Sequence, residues 1–178
     1  MLLMKFVPRM LAASIYEIDF DELRAQGIRG IIADLDNTLV GADVADADDR
    51  LKELLAALKE KGFQIVIVSN NSRKRVESFV SPLGLPFLFR ARKPFKRAFL
   101  EAMELMGLRP EETAVIGDQM LTDMFGGNRL GLYTILVQPV SAAADGYWTR
   151  FNRKMERRMK ARLQKRGIGL GEGGAHDL

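Results

Sequence analysis

An α/β fold in three layers, with a parallel sheet of about five strands covered by helices on both faces, is predicted by three observations. Short apolar runs rich in β-branched residues alternate with segments of helical period from residue 27 to residue 140. The runs are apolar without interruption, as strands buried on both faces are. Glycine turns and helix-capping residues mark the changes between them, which is the pattern of right-handed βαβ units.

The first strand lies in GIRGIIADL, 27 to 35, where Ile31, Ile32 and Ala33 follow a glycine turn and lead to two carboxylates. After an acidic loop, DDRLKELLAALKEKG sets Leu51, Leu54, Leu55 and Leu58 at helical spacing, with Asp48 or Asp49 as N-cap and Gly62 as C-cap. FQIVIVSNN is a second strand, SRKRVESFVSPLG a second helix and PFLF a short third strand. KPFKRAFLEAMELMG is a third helix with Pro94 near its first turn, where a missing N–H is tolerated. TAVIGD, LTDMFGGNRLG and LYTILVQPV complete the order as a fourth strand, a short helix with a turn, and a fifth strand. The Gly-rich end, GIGLGEGGAHDL, is expected to be disordered, and its His176 to have no role.

The 178 residues, 47% hydrophobic and 28% charged, suffice for one compact domain with a full core. There is no cysteine, which excludes disulfides and thiolate metal sites and fits a reducing, cytoplasmic setting. The longest strongly apolar stretch, FQIVIVS at 63 to 69, falls far short of the roughly 20 residues of a spanning helix. The start, MLLMKFVPRMLAAS, is broken by Lys5, Pro8 and Arg9 and lacks the apolar core of a secretory signal, so it is expected to be retained.

The formal net charge of +4 conceals an asymmetry. Residues 147 to 166 hold nine Lys/Arg and one Glu, whereas residues 1 to 146 hold 18 Lys/Arg and 20 Asp/Glu. Basic character therefore belongs to the tail, and the positive total does not make the domain a nucleic-acid binder. The expected organisation is a domain over 1–146 that includes the apolar start, a basic amphipathic helix over 147–166 and a flexible tail over 167–178.

In such a sheet, ligands collect at the carboxyl ends of the strands, beside the point where strand order reverses. The polar residues there are Asp34 and Asp36 after the first strand, Ser69 and Asn70 after the second, Lys93 ahead of the third helix, and Asp118 with Asp123 after the fourth. Clustered carboxylates repel unless a cation neutralises them, and oxygen ligands without histidine or cysteine favour Mg²⁺. A lysine and a serine hydroxyl beside helix N-termini make an anion trap suited to a phosphoryl group. Two carboxylates two positions apart can then divide the work: one attacks phosphorus and the other handles protons.

The set DLDNTL, IVSNN, KP and GDQMLTD, in this order and spacing, resembles the four motifs of the haloacid dehalogenase (HAD) superfamily of phosphatases, and the resemblance covers most of the chain. More narrowly, SIYEIDFDELRAQGIRGIIADLDNTLV, GDQMLTDMFGGNRLGLYTILVQPV and TRFNRKMERR resemble the YqeG-type subgroup, subclass IIIA, related to the mitochondrial phosphatidylglycerophosphate phosphatases. The resemblance implies a HAD-like, Rossmann-like fold in which Asp34 is the nucleophile, forming an aspartyl-phosphate and lending an oxygen to Mg²⁺. Asp36 would be the general acid and base, and its main-chain carbonyl would also bind the metal. Ser69 and Asn70 would hydrogen-bond the phosphoryl oxygens, and Lys93 would neutralise charge on phosphate and nucleophile together. Asp118 matches the direct metal ligand of the last motif. Asp123 matches its second acid, touching a metal-bound water or supporting the ligands; the plain alternative is a helix N-terminal charge partner. Asn37 and Thr38 are expected to shape the turn.

Cap domains of this superfamily sit just after the first motif or between the second and third. About a dozen residues separate Asp36 from the next helix, and 23 lie between Ser69 and Lys93, enough for a helix and a short strand. No cap domain is expected, and the rim should be open to a bulky substrate. Trp148, Phe151, Met155, Met159 and Leu163 fall on one helical stripe among lysines and arginines, which suits an anionic membrane surface. Packing on the domain, or contact with RNA phosphates, are the alternatives. The apolar start, with Leu2, Leu3, Phe6, Val7, Met10 and Leu11, either joins the tail at a membrane or packs against the sheet edge.

These features together point to a capless, Mg²⁺-dependent phosphatase of a phosphate monoester, peripheral at the inner face of the membrane. Phosphatidylglycerophosphate, a lipid-linked substrate, is favoured by the resemblance, the open rim and the basic tail. The alternatives are a phosphatase for a soluble metabolite or phosphoprotein, and a weakly active binding module for RNA, ribosome or membrane. Nucleic acid is the disfavoured partner.

Overall fold

A computed structural model describes residues 2–140 and, beyond them, Lys154, Arg157 and Ala161, which are helical and exposed. The apolar stripe from Trp148 to Leu163, the boundaries at 146 and 166 and the Gly-rich end lie outside the described residues. Six strands are described: β1 (Met10–Ala12), β2 (Gly30–Ala33), β3 (Gln64–Val68), β4 (Phe87–Leu88), β5 (Thr113–Gly117) and β6 (Tyr133–Val137). They form one parallel sheet in the order β1-β6-β5-β2-β3-β4. The helices are α1 (Phe20–Ala25), α2 (Asp49–Glu60), α3 (Arg73–Val80), α4 (Lys96–Met106) and α5 (Phe125–Leu130).

The uninterrupted apolar strands follow from coverage on both faces. Side chains alternate along a strand, so Ile31 and Ala33 of β2 pack with Leu51, Leu55 and Leu58 of α2 and Val76, Phe79 and Val80 of α3. Ile32, between them, faces the opposite layer with Phe99, Ala102, Met103 and Met106 of α4. Burying each such large apolar side chain contributes about 1.5–3 kcal/mol, and this sandwiching holds β2 in the sheet's middle.

Local signals set the ends of α2. The Asp48 carboxylate accepts the Leu51 N–H at 2.8 Å, and Gly62 follows the helix with φ of 81°, where a side chain would be strained. Gly126 has a different reason, close approach: a Cβ there would meet the Phe99 ring at 2.5 Å, so the glycine lets α5 press against α4.

The structure sharpens or departs from the expected picture at several places. The sheet has six described strands rather than about five, because the chain start adds β1 parallel to β6, with Met10 opposite Ile135. Phe6, Val7 and Leu11 pack on the α4 layer and Phe6 stacks on Phe125 with ring centroids 4.5 Å apart, so the start lies against the sheet edge. Pro94 stands outside its helix: Phe95 is the N-cap, α4 begins at Lys96, and the Lys93–Pro94 peptide is cis. The segment after β5 begins with one turn of π-helix, Met120–Met124, before α5. Helix α1, capped by the Asp19 carboxylate on the Glu22 N–H, is an additional element.

Candidate active site

The chain runs from β2 outward through β3 to β4, then returns to place β5 on the other side of β2. Strand order therefore reverses between β2 and β5, and the crevice at their carboxyl ends is the expected ligand site. Asp34 follows β2 directly and its N–H donates to the Ile116 carbonyl at 2.9 Å. Asp118 follows β5 in the same way. The π-helical turn then carries Asp123 back toward the strand ends, where its carboxylate accepts the Gln119 N–H at 3.3 Å. Oxygens of Asp34, Asp118 and Asp123 lie within 4.8 Å of one another, and all three residues are buried.

Lys93 enters this cluster from the loop between β4 and α4. Its Nζ lies 2.7 Å from Asp34 Oδ1 and 2.7 Å from Asp123 Oδ1, with 3% of the lysine side chain exposed. Burial pulls the ammonium down, but its ion pairs with Asp123 and Asp34 outweigh that and leave it held above the usual lysine range. Burial pushes the Asp34 carboxyl up from 3.8 to about 6, opposed by Lys93 and reinforced by Asp123 and Asp36. One ammonium among three buried carboxylates leaves negative charge uncompensated. An all-oxygen, buried donor set of this kind fits a hard divalent cation.

Ser69 is buried at the end of β3, and its hydroxyl accepts the Asn71 N–H at 3.1 Å. Asn70 turns to the lysine loop: its side-chain oxygen accepts the Lys93 N–H at 2.7 Å and its amide donates to the Lys93 carbonyl at 3.4 Å. Asn70, the first asparagine of SNN, thus ties β3 to the loop that delivers Lys93. Asp36 is not one of the three clustered carboxylates and is bonded from α3 and from Asn71. Its Oδ1 accepts from Nε and a terminal nitrogen of Arg75 at 3.0 and 2.8 Å, and its Oδ2 accepts from Asn71 at 2.9 Å. Thr38, in the turn after β2, donates to Asp118 Oδ1 at 3.5 Å.

Asn71, Arg75 and Thr38 join the site without having been singled out as chemical residues. Asn71 was visible as the second asparagine of SNN, whereas Arg75 looked like one of several surface cations in SRKR.

Gly117 is a close-approach position of the site. A Cβ on it would overlap the Asp123 carboxylate. Gly117→Ala is expected to displace Asp123 from Lys93, cost about 1–3 kcal/mol of stability and depress activity, measured by denaturant unfolding beside phosphate release.

The haloacid dehalogenase-like hydrolase family matches residues 2–131. The chain is similar to the probable phosphatase YqeG of Bacillus subtilis (strain 168), at 48% identity over 91% of this chain and 94% of that protein. It is similar to the chloroplastic phosphatidylglycerophosphate phosphatase 1 of Chlamydomonas reinhardtii at 29% identity, over 91% of this chain and 64% of that relative. Among solved structures, the 3-deoxy-D-manno-octulosonate 8-phosphate phosphatase from Moraxella catarrhalis, in complex with magnesium ion, phosphate ion and KDO molecule, shares the fold. Its TM-score is 0.50 at 16% identity, covering 82% of this chain and 98% of that one.

Proposed function

Because the chain belongs to the haloacid dehalogenase-like hydrolase family and is a phosphatase of phosphate monoesters, we propose that Asp34 is its nucleophile, Mg²⁺ its cofactor and phosphatidylglycerophosphate its substrate. The observation that carries the nucleophile is the pairing of Asp34 with Lys93, 2.7 Å apart, beside Asp118 and Asp123 where strand order reverses.

A carboxylate oxygen of Asp34 attacks phosphorus, the bond to the ester oxygen breaks, and Asp36 gives its proton to that oxygen as the alcohol leaves. Asp36 then takes a proton from water, whose oxygen attacks the phosphorus of the aspartyl-phosphate and releases inorganic phosphate and Asp34. This covalent route splits one hard displacement into two easier ones. Lys93 offsets the charge that gathers on the phosphoryl oxygens and on Asp34, with the Ser69 hydroxyl beside it. Asn70 contributes by holding Lys93 in place, and Asp123 orients the lysine from its other side. Asp34, Asp118 and the Asp36 main-chain carbonyl, with Asp123 adjacent, would hold Mg²⁺, which when bound neutralises the transferring phosphoryl group.

Arg75 is assigned to positioning Asp36, since it supplies two of the N–H groups that fix the carboxylate. Arg75→Met is expected to lower kcat roughly tenfold, the scale of a lost charged hydrogen bond, with KM for a small ester nearly unchanged. An equal fall in kcat for Arg75→Lys would separate loss of geometry from loss of charge.

Two observations support a lipid-linked ester. The 29%-identical plastid relative is a phosphatidylglycerophosphate phosphatase, and the chain between Ser69 and Lys93 holds only α3, a short 3-10 turn and β4, leaving the rim uncapped. No helix among the described residues is long and apolar enough to cross a membrane. The test is phosphate release from phosphatidylglycerophosphate against a panel of soluble esters at matched concentration with Mg²⁺. Strong lipid preference is expected; release from soluble esters alone would leave the Asp34 chemistry and remove the lipid.

A further inference from the structure

At the carboxyl end of the edge strand β4 the surface opens into a groove of about 650 Å³. Its walls include Phe89, Arg90, Arg92, Phe95 and Arg97, with Glu101 as a single carboxylate among the lining residues. Phe95 is 67% exposed and Phe89 37%. The guanidinium of Arg73, on α3, lies over the Phe89 ring at 5.5 Å while it pairs with Glu77 at 3.0 Å.

The groove is built by the loop that delivers Lys93. Arg90 and Arg92 have φ of 45° and 52°, a region that non-glycine residues seldom occupy. The loop is held there by the Arg90 N–H on the Asn71 carbonyl and the Ala91 N–H on the Ser69 carbonyl, at 2.9 and 3.0 Å. The same few residues thus present aromatic rings and arginines outward while Lys93, between Arg92 and Phe95, points into the carboxylate cluster.

Exposed aromatic rings interleaved with arginines match the chemistry of a bilayer's polar layer, where rings settle at headgroup depth and guanidinium groups meet lipid phosphates. We propose that this groove docks the domain on an anionic phospholipid surface, with Phe89 and Phe95 entering the headgroup layer and Arg90, Arg92 and Arg97 on its phosphates. The proposal rests on the lipid-linked reading of the substrate and locates membrane contact on the catalytic domain, apart from the basic tail. Docking there brings the uncapped rim beside Lys93 to the headgroups, so a phosphate ester can be reached without leaving the bilayer.

The absence of cysteine makes a direct test available. In the full chain, Phe95→Cys labelled with an environment-sensitive fluorophore is mixed with vesicles of equal parts phosphatidylglycerol and phosphatidylcholine. The label is expected to brighten and shift to the blue, whereas the same label at Glu53→Cys, exposed on α2 in the opposite helical layer, is not. Combining Arg90→Gln with Arg97→Gln should weaken vesicle binding roughly thirtyfold, the equivalent of about 1 kcal/mol for each charge. An unmoved label at position 95 while the protein pellets with vesicles, equal responses at both positions, or undiminished binding after the arginine changes would each overturn the proposal. Hydrolysis of a soluble aryl phosphate by the unsubstituted chain keeps the two readings apart. If it proceeds while the label stays silent, only the docking surface is lost; if it fails, the phosphatase chemistry is.

Discussion

Asp34→Asn is expected to lower phosphate release more than about 10⁴-fold, because an amide cannot form the acyl-phosphate link and the cooperating groups fail together when the nucleophile is lost. The protein should stay folded. Asparagine has nearly the same shape, and the carboxyl it replaces is buried and already pushed up to about 6. In the metal-free protein, ionising Asp34 in the fold is less favourable than in the unfolded chain. Between about 4 and 6 the folded state holds a proton that the unfolded state has lost, so wild-type stability should fall as pH rises through that window. Asp34→Asn should flatten this slope. Mg²⁺ should raise the wild-type Tm near neutral pH and raise that of Asp34→Asn less, since a ligand of the folded state stabilises it by mass action. Thermal melts with and without chelator read both effects.

The second large effect belongs to Lys93→Met, which is expected to destabilise the protein by about 3–5 kcal/mol and to slow hydrolysis by a further 10²- to 10³-fold. The methionine fills similar space, so packing is nearly conserved. What is lost is the ammonium at 2.7 Å from two buried carboxylates, which then face each other with Asp118 alongside. Two remedies are specific to this cause. Mg²⁺ should restore part of the stability, and Lys93→Met combined with Asp123→Asn should cost less than the sum of the two single changes, as coupled partners do. Activity should not return in the double variant. Additive costs from urea denaturation would show that Lys93 and Asp123 are not energetically joined.

The strands, and the rim on which the polar residues at their ends meet, were legible in the sequence because a parallel sheet has few ways to arrange them. Asp34, Ser69 and Asp118 each end an apolar run, and parallel strand ends converge on one rim whatever the details of the helices. Asp123 was legible only as a second acid. Its pairing with Lys93 depends on the π-helical turn, which widens the helix and brings residue 123 back toward Gly117. Arg75 was hidden for a related reason: its meeting with Asp36 depends on where α3 lies on the sheet, and side-chain type alone could not separate it from Arg73, which pairs with Glu77 on the exposed face. Strand β1 escaped notice because three half-buried residues carry no alternation to read. The bonds between the Asn70 side chain and the Lys93 backbone were not legible either, since they depend on where the loop after β4 returns to the strand ends.

Trapping the covalent intermediate bears most directly on Asp34. Borohydride reduces an acyl phosphate to the alcohol, so reduction during turnover of a phosphate ester should convert Asp34 to homoserine, found by peptide mapping. The conversion should require both substrate and Mg²⁺ and should spare Asp36, Asp118 and Asp123. Steady turnover with Asp34 recovered intact under the same reduction, or homoserine found at another aspartate, would contradict a nucleophilic Asp34.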